Sequence, residues 1–324
     1  MAFNSEGLVF SDNYIPSMMA AVLPYIQQRR HDEVLPGYQG RALFTSRFDA
    51  DEPRGTVMIL HGFTENVEKY AELIHSLLTR QWSVVIYDQR GHGRSWRADG
   101  LADPSLTHVD RFDEYVRDME CVYRQITAAM PLPYRVFCHS MGGAVTALFL
   151  ERHPGLFDRA AMCAPMIAPA LKGLPKPVVQ EMCRTALLFR HGKKRIIGSK
   201  PYEGKENFDT ACANGRQRFD WYEQLRSRHP AFQNNGPSYG WLKEAMGVTK
   251  TILAPGAVEK IDAKVRLYSA ELDQTVVHQP QLDFIRRVKD GSHVQVAGAK
   301  HEIYRSTDDI VFPWWRNVLK FLED

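Results

Sequence analysis

The sequence has few cysteines and no pattern that would pair them. Its five cysteines are irregularly spaced, and no two of them form a Cys-x-x-Cys motif. An odd number without such spacing argues against a disulfide framework and against a zinc site, and it fits a reducing compartment. The five are Cys121, Cys138, Cys163, Cys183 and Cys212.

The sequence also shows no segment of the kind that targets a chain to a membrane. Residues 1–13 contain a glutamate and an aspartate but no basic stretch, so they do not resemble a signal peptide. The apolar segment 15–26 is interrupted by Pro16 and Pro24 and is too short to cross a bilayer. We therefore expect a cytoplasmic protein, with peripheral contact at the inner membrane as an open option.

A large excess of one charge is absent as well. The chain has 41 Lys and Arg against 38 Asp and Glu, which gives a net charge of +3 over 324 residues. A nucleic-acid-binding protein usually concentrates a larger basic excess, so we do not expect nucleic acid as a partner. The length exceeds that of one typical domain and falls short of two, which favours one large domain with an insertion. The oligomeric state is left open.

Strand-like and helix-like segments alternate along most of the chain. Such alternation predicts an α/β fold with a mostly parallel central sheet flanked by helices. The alternation stops at about 166–255, where proline-rich loops and helix-like pieces replace strands. We therefore predict a core formed by 1–165 and 256–324, and a mainly helical cap inserted at 166–255. The strand-like runs are at 56–63, 83–93, 134–137, 160–165, 265–270 and 292–298.

The segment YRVFCHSMGGA (134–144) predicts a sharp turn from a strand into a helix around Ser140. A serine on such a turn, followed by glycines, is typical of the nucleophile elbow of serine hydrolases. Ser140 could instead be an ordinary helix cap, so the remaining strand ends must be considered. The usual pattern, Gly-x-Ser-x-Gly, has Cys138 at its first position here.

Two further strand ends carry the residue types that a serine nucleophile needs. Asp273 follows one strand and His301 follows the last, which gives the chain order Ser, Asp, His of the α/β hydrolases. Parallel strands bring their carboxyl ends to one edge of the sheet, so these residues should meet there. His301 would accept the serine proton, and Asp273 would orient its ring. Glu271 is a nearby rival for the acid.

The oxyanion that forms during acyl transfer needs backbone N–H donors. We predict the N–H of Met141, next after Ser140, as one donor, and the N–H of Phe63, at another strand end, as the second. Asp88, in the segment DQRGHGRS (88–95), fits no triad role, and we interpret that segment as a structural Gly-rich loop.

Several segments together resemble a known family. HGFTENVEKYAEL, DQRGHGRS, CHSMGGA and AGAKHEIY are similar to the monoglyceride lipase and lysophospholipase branch of the α/β hydrolases. DPSLTHVDRFDEYVRDM, FLERHPG and GRQRFDWYEQL resemble, more narrowly, the bacterial lysophospholipase L2 group. The resemblance implies Ser140 as nucleophile, Asp273 as acid, His301 as base, and Phe63 and Met141 as oxyanion donors. It also implies hydrolysis of a lysophospholipid or monoacylglycerol ester, without metal or cofactor.

Residues in the predicted cap would select the substrate. Its apolar and aromatic side chains could form a cleft for an acyl chain or could be the cap's own core. The alternatives are a serine aminopeptidase of the same fold, whose substrate amine would need acids such as Glu203, Glu206 or Asp209, and a non-catalytic binding protein. The apolar cap residues are Leu187, Leu188, Phe189, Trp221, Tyr222, Phe232, Tyr239, Trp241 and Leu242.

A basic segment in the predicted cap, RHGKKRIIGSK (190–200), contains no acidic residue. Such a run is usually a solvated face. Our hypothesis is that it faces anionic lipid headgroups, where each basic residue contributes about 1 kcal/mol. Its basic residues are Arg190, Lys193, Lys194, Arg195 and Lys200.

Overall fold

One mixed β-sheet forms the centre of the protein. The computed structural model describes residues 2–171 and 173–324. The strands in these residues are β1 (Arg30–Pro36), β2 (Ala42–Phe48), β3 (Gly55–Leu60), β4 (Trp82–Tyr87), β5 (Tyr134–His139), β6 (Arg159–Cys163), β7 (Lys264–Ala270) and β8 (Gly291–Val296). They pair in the order β1-β2-β4-β3-β5-β6-β7-β8, and every neighbouring pair from β4 to β8 is parallel. The predicted fold class is confirmed.

The three strands β3, β4 and β5 are buried along their whole length. Strands covered by helices on both faces need continuous apolar runs, which is why the sequence predicted them well. Sequence analysis assigned no strand to β1 or β2, which pair antiparallel at one edge of the sheet. β1 reads RHDEVLP and is mostly exposed, so it has no apolar run, and only its pairing with β2 makes it a strand.

Helices cover both faces of this sheet. α3 and α10 pack in one apolar cluster with one face, and α4, α5 and α9 pack in a second cluster with the other. The helices in the described residues are α1 (Tyr14–Ser17), α2 (Leu23–Gln27), α3 (Ala71–Thr79), α4 (Asp113–Gln125), α5 (Met141–Arg152), α6 (Lys176–Leu188), α7 (Arg216–Arg228), α8 (Tyr239–Ile252), α9 (His278–Arg287) and α10 (Asp308–Glu323). Among the described residues, no helix combines the length and apolar composition needed to span a bilayer.

The segment 166–255, predicted as a cap, contributes three of these helices. α8 packs on the same face of the sheet as α5, whereas α7 joins the cluster on the opposite face. α6 packs with α8 in a small cluster of its own that includes Val179, Cys183 and Tyr239. The helices of this segment therefore lie in different packing environments.

Candidate active site

Ser140, His301 and Asp273 are hydrogen-bonded to one another at the carboxyl edge of the sheet. Ser140 follows β5, Asp273 follows β7, and His301 follows β8. His301 Nε2 lies 2.8 Å from Ser140 Oγ, and His301 Nδ1 lies 2.7 Å from a carboxylate oxygen of Asp273. With the proton on Nδ1, the ring donates to Asp273 and can accept the serine proton at Nε2. Ser140 is 4 % exposed and His301 is 5 % exposed, so bulk water barely reaches them.

Both carboxylate oxygens of Asp273 accept hydrogen bonds. The oxygen not bound to His301 accepts hydrogen bonds from the backbone N–H groups of Thr275 at 2.8 Å and Val276 at 3.1 Å. Burial disfavours its charge, but His301 and these N–H groups outweigh burial and lower the pKa of Asp273. The rival acid, Glu271, accepts from the Gly298 N–H at 2.7 Å instead.

The backbone around Ser140 has the shape of an elbow. Ser140 has φ +48° and ψ −116°, a strained conformation for a residue with a side chain, and Met141 begins α5 directly after it. A Cβ on Gly142 would lie 2.3 Å from the Leu60 carbonyl oxygen, so this position has no room for one. Cys138 is fully buried at the first position of the motif, and the backbone accommodates it there.

The two predicted oxyanion donors are backbone N–H groups in the two segments next to the serine. Met141 is the first residue of α5, so its N–H has no acceptor within the helix. The loop that contains Phe63 approaches closely, because a Cβ on Gly62 would lie 3.1 Å from Ser140 Cβ. In the described residues, the Phe63 N–H donates to no backbone or side-chain acceptor. Both amides are therefore available to a ligand.

Comparison with known proteins identifies the family of this chain. The sequence profile of the family described as "Serine aminopeptidase, S33" matches residues 51–308. The chain belongs to this family of hydrolases. It is 32 % identical to lysophospholipase L2 of Escherichia coli (strain K12) over 275 residues, which are 81 % of this chain and 78 % of that protein. It is 25 % identical to the probable lysophospholipase L2 of Haemophilus influenzae, with 82 % of each chain covered. The resemblance noted in the sequence is thereby confirmed.

Solved structures of hydrolases share the fold of this family member. A soluble variant of monoglyceride lipase from Saccharomyces cerevisiae aligns with a TM-score of 0.69 at 18 % identity, covering 91 % of this chain and 96 % of that one. A monoacylglycerol lipase from Paleococcus ferrophilus aligns with a TM-score of 0.67 at 19 % identity, covering 86 % of this chain and 98 % of that one. At these identities the likeness concerns the fold.

His61 has a structural function in this hydrolase that the sequence analysis did not assign. Its Nδ1 lies 2.8 Å from the Gly62 carbonyl oxygen, and its Nε2 accepts the backbone N–H of Gln89 at 2.9 Å. Burial lowers the pKa of His61 to about 4, so the ring is neutral and can accept that bond. It joins the loop after β3 to the loop after β4. A histidine directly after a strand was the only signal in the sequence.

Asp88 is also structural, as the sequence suggested. It accepts the backbone N–H of Val67 at 2.7 Å and that of Arg94 at 2.8 Å. A Cβ on Gly93, at φ +51°, would lie 2.0 Å from the same carboxylate, so glycine is required there. Burial raises the pKa of Asp88 to about 6. The carboxylate thus fixes the Gly-rich loop and lies outside the triad.

The apolar residues of segment 166–255 do not share one location. Trp241 of α8 lies against the site, with its ring centroid 4.1 Å from that of Phe63. Tyr239 and Leu242 pack with α6, and Trp221 and Tyr222 are buried in the cluster that contains α3 and α10. Leu188 and Phe189 face outward, at 78 % and 66 % exposure. Trp241 therefore contacts Phe63, a predicted site residue.

Proposed function

We propose that this protein is a serine hydrolase that cleaves the carboxylic ester of lysophospholipids or monoacylglycerols. The observation that carries the proposal is the hydrogen-bonded series Ser140–His301–Asp273 on a strained elbow, with two free amides beside it. A serine hydroxyl becomes an effective nucleophile when a base removes its proton. The curated relatives, lysophospholipases L2, support an ester as the bond that is cleaved.

The proposed reaction has two steps. His301 takes the Ser140 proton as the oxygen attacks the ester carbonyl, and the resulting oxyanion is stabilised by the N–H groups of Phe63 and Met141. His301 then protonates the leaving alcohol, glycerol or a glycerophospho compound, and the acyl group stays on Ser140. Water, deprotonated by His301, attacks this acyl ester and releases the fatty acid. No metal or cofactor is needed for either step.

We further propose that segment 166–255 forms a cap that binds the acyl chain. Trp241 supports this, because its ring lies against Phe63 at the oxyanion loop. Each methylene that leaves water contributes about 0.8 kcal/mol, so an apolar wall here would favour long acyl chains.

Replacing the nucleophile tests the reaction. Ser140→Ala removes the attacking oxygen, so kcat with 1-palmitoyl lysophosphatidylcholine should fall by about 10⁶-fold, as for other serine triads. Labelling by a fluorophosphonate probe should disappear, while circular dichroism stays that of the native protein. Ser227→Ala, on the exposed surface of α7, is the matched control. Retained hydrolysis by folded Ser140→Ala would refute the proposal.

A panel of substrates tests the choice of ester. Lysophosphatidylcholine, lysophosphatidylethanolamine, lysophosphatidylglycerol, monoacylglycerol and a prolyl amide would be compared by kcat/KM, with products identified by mass spectrometry. We expect turnover of the lipid esters and none of the prolyl amide. Faster cleavage of the prolyl amide would replace the proposal with an aminopeptidase function.

The aminopeptidase alternative receives little support from the acidic residues that it would use. Glu206 is paired with Arg226 at 3.1 Å, and Glu203 lies on the surface, 3.9 Å from Lys200. Asp209 is exposed. A substrate amine would need a carboxylate facing Ser140, and these three are paired or exposed. The binding-protein alternative is disfavoured too, because all three triad side chains are present and bonded.

We also propose that α6 and the loop after it contact an anionic membrane surface. This part of the chain exposes apolar side chains beside basic ones, the combination that binds at a lipid interface. The exposed apolar residues are Val178, Leu188, Phe189 and Ile197. The exposed basic residues include Arg184, Arg190, Lys193, Lys194 and Lys200. Arg195, which the sequence analysis counted among them, instead bonds to Asp103 at 3.0 Å.

Vesicle co-sedimentation tests this contact. Phe189→Ser with Ile197→Ser should weaken binding to vesicles of phosphatidylcholine with phosphatidylglycerol, because the apolar anchor is lost. Lys193→Glu with Lys194→Glu should weaken binding only when phosphatidylglycerol is present. Val34→Ser, an exposed apolar residue on β1, is the control and should bind as the native protein does. Unchanged binding of both double variants would refute the contact.

A further inference from the structure

Glu65 is a buried carboxylate at the centre of the polar residues behind the active site. It is 1 % exposed and follows β3, in the loop that also contains Phe63. Its oxygens accept hydrogen bonds from the Gly62 N–H at 2.5 Å and the Tyr70 hydroxyl at 2.6 Å. The Tyr304 hydroxyl also donates to it. Nothing in the proposed reaction uses Glu65, yet a buried charge is costly unless a precise arrangement compensates it.

His139 is the second buried group of this arrangement. It immediately precedes Ser140 and is 2 % exposed. Its Nδ1 lies 3.2 Å from a carboxylate oxygen of Glu65, and its Nε2 lies 3.2 Å from the backbone carbonyl oxygen of His301. The rings of His139 and His301 have centroids 4.8 Å apart. His139 therefore contacts both the base loop and Glu65.

The charges around this pair favour an ionised state. Burial opposes the charge of Glu65, but Lys69 and His139 outweigh it and hold the pKa of that carboxyl well below its ordinary value. Burial likewise opposes a charge on His139, but Glu65 outweighs it and raises the pKa of His139. Lys69 Nζ bridges Glu65 at 3.1 Å and Glu302 at 2.6 Å, so the neighbouring charges alternate in sign.

We propose that the Glu65–His139 ion pair positions the three catalytic loops relative to one another. The Glu65 bond to the Gly62 N–H fixes the backbone one residue before the Phe63 oxyanion donor. His139 belongs to the elbow, and its Nε2 donates to the carbonyl of His301, which fixes the base loop. One ion pair thus fixes the positions of the loops that carry the Phe63 donor, the Ser140 nucleophile and the His301 base. Glu65 and His139 touch no reacting atom, so they are positioning residues, and the inference rests on the proposed function of Ser140.

The first test separates positioning from general stability. Glu65→Gln keeps the shape and an acceptor oxygen but removes the charge that binds His139. A displacement of about 1 Å can cost about 100-fold in rate, so kcat with p-nitrophenyl butyrate should fall 10- to 100-fold, with KM changed less than twofold. Affinity for butylboronic acid, which forms an oxyanion-like adduct on Ser140, should fall in parallel with kcat.

Glu72→Gln is the matched control for this variant. Glu72 is also a buried carboxylate, paired with Arg218 at 3.0 Å, but it contacts the N-terminal segment and α7 rather than the catalytic loops. Glu72→Gln should lower the melting temperature of the protein but leave kcat within twofold of the native value. Equal losses of kcat in both variants, or a native kcat in Glu65→Gln, would overturn the proposal.

Two substitutions of His139 distinguish its two bonds. The amide nitrogen of glutamine reaches the position of Nε2, whereas that of asparagine reaches the position of Nδ1. His139→Gln keeps a donor to the His301 carbonyl but loses the bond to Glu65, whereas His139→Asn does the reverse, so each should lower kcat by about tenfold or more. His75→Gln, at a buried histidine bonded to the Gly7 carbonyl, is the control and should leave kcat unchanged.

The outcomes separate this inference from the proposed function. If Ser140→Ala abolishes turnover but both His139 variants retain the native kcat, the hydrolase proposal stands and the positioning proposal fails. If Ser140→Ala retains turnover, the hydrolase proposal fails first.

Discussion

Two regions of this protein reverse the usual rule that apolar side chains are buried and charged ones exposed. Behind the candidate active site, the buried carboxylate of Glu65 pairs with the buried side chains of Lys69 and His139. On α6 and the loop after it, Phe189 and Ile197 are 66 % and 81 % exposed. Departures from the rule usually carry more information about function than surfaces that obey it.

The two departures differ in what compensates them. The buried charges are satisfied entirely within the protein, by alternating ion pairs and tyrosine hydroxyls. The exposed apolar side chains of α6 and the loop after it are not covered by other described residues. We propose that a lipid surface covers them. Substitutions among the buried charges should therefore change both the stability of the protein and its catalytic rate. Substitutions among the exposed apolar residues should change only binding to lipid.

The largest effect on stability should follow from breaking the buried charge series. Lys69→Met leaves Glu65 and Glu302 without their shared cation, and removing one partner of a buried pair costs about 3–5 kcal/mol. The free energy of unfolding at pH 7, measured by urea denaturation, should fall by that amount. Lys243→Met, at an exposed pair with Glu244, should change it by less than about 1 kcal/mol. If Lys69→Met loses no more free energy of unfolding than Lys243→Met does, the buried carboxylates do not depend on Lys69 for charge compensation.

A smaller effect should appear in the pH dependence of stability. Burial lowers the pKa of His61 from 6.5 to about 4, so between these values the unfolded chain binds more protons than the folded one. Stability is therefore lost as the pH falls from 6.5 to 4, and a shift of this size corresponds to about 3 kcal/mol. His61→Gln should reduce that loss by about 3 kcal/mol in urea denaturation.

The control for this prediction is His31→Gln, at an exposed histidine on β1. It should reproduce the pH dependence of the native protein. If His61→Gln loses as much stability on acidification as the native protein does, protonation of His61 is not the cause of that loss.

The smallest effect should come from the exposed apolar region. Leu188→Ser with Phe189→Ser removes side chains that are mostly in water, so the free energy of unfolding should change by less than about 0.5 kcal/mol. Phe149→Ala, at a fully buried phenylalanine, should cost about 3–5 kcal/mol in the same experiment. A comparable loss in both variants would mean that α6 depends on its outer face for folding, which would remove the contrast between the two regions.

The sequence predicted the parts of the site that local patterns specify. Apolar runs mark β3, β4 and β5 because both faces of these strands are covered, and the residues that follow such runs lie at one edge of a parallel sheet. The order of Ser140, Asp273 and His301 along the chain is therefore enough to bring them together in the prediction. The glycines after Ser140 are visible in the same way, since the backbone passes close to Leu60 at Gly142 and to Pro165 at Gly143.

The sequence did not predict contacts between distant segments. Arg195 belongs to a basic run in the sequence, but folding pairs it with Asp103, 92 residues away. β1 has no apolar run, and its identity as a strand depends on β2. Glu65 and His139, 74 residues apart, are an unremarkable loop residue and a strand end until the fold brings them together.

By itself, then, the sequence determined the sheet, the elbow and the three residue types at its edge, because periodicity and turn chemistry are local properties of the chain. Tertiary structure alone decided which charges became buried and which apolar side chains stayed in water. Burial depends on what packs above a residue, and the segments that pack there are far away in the sequence.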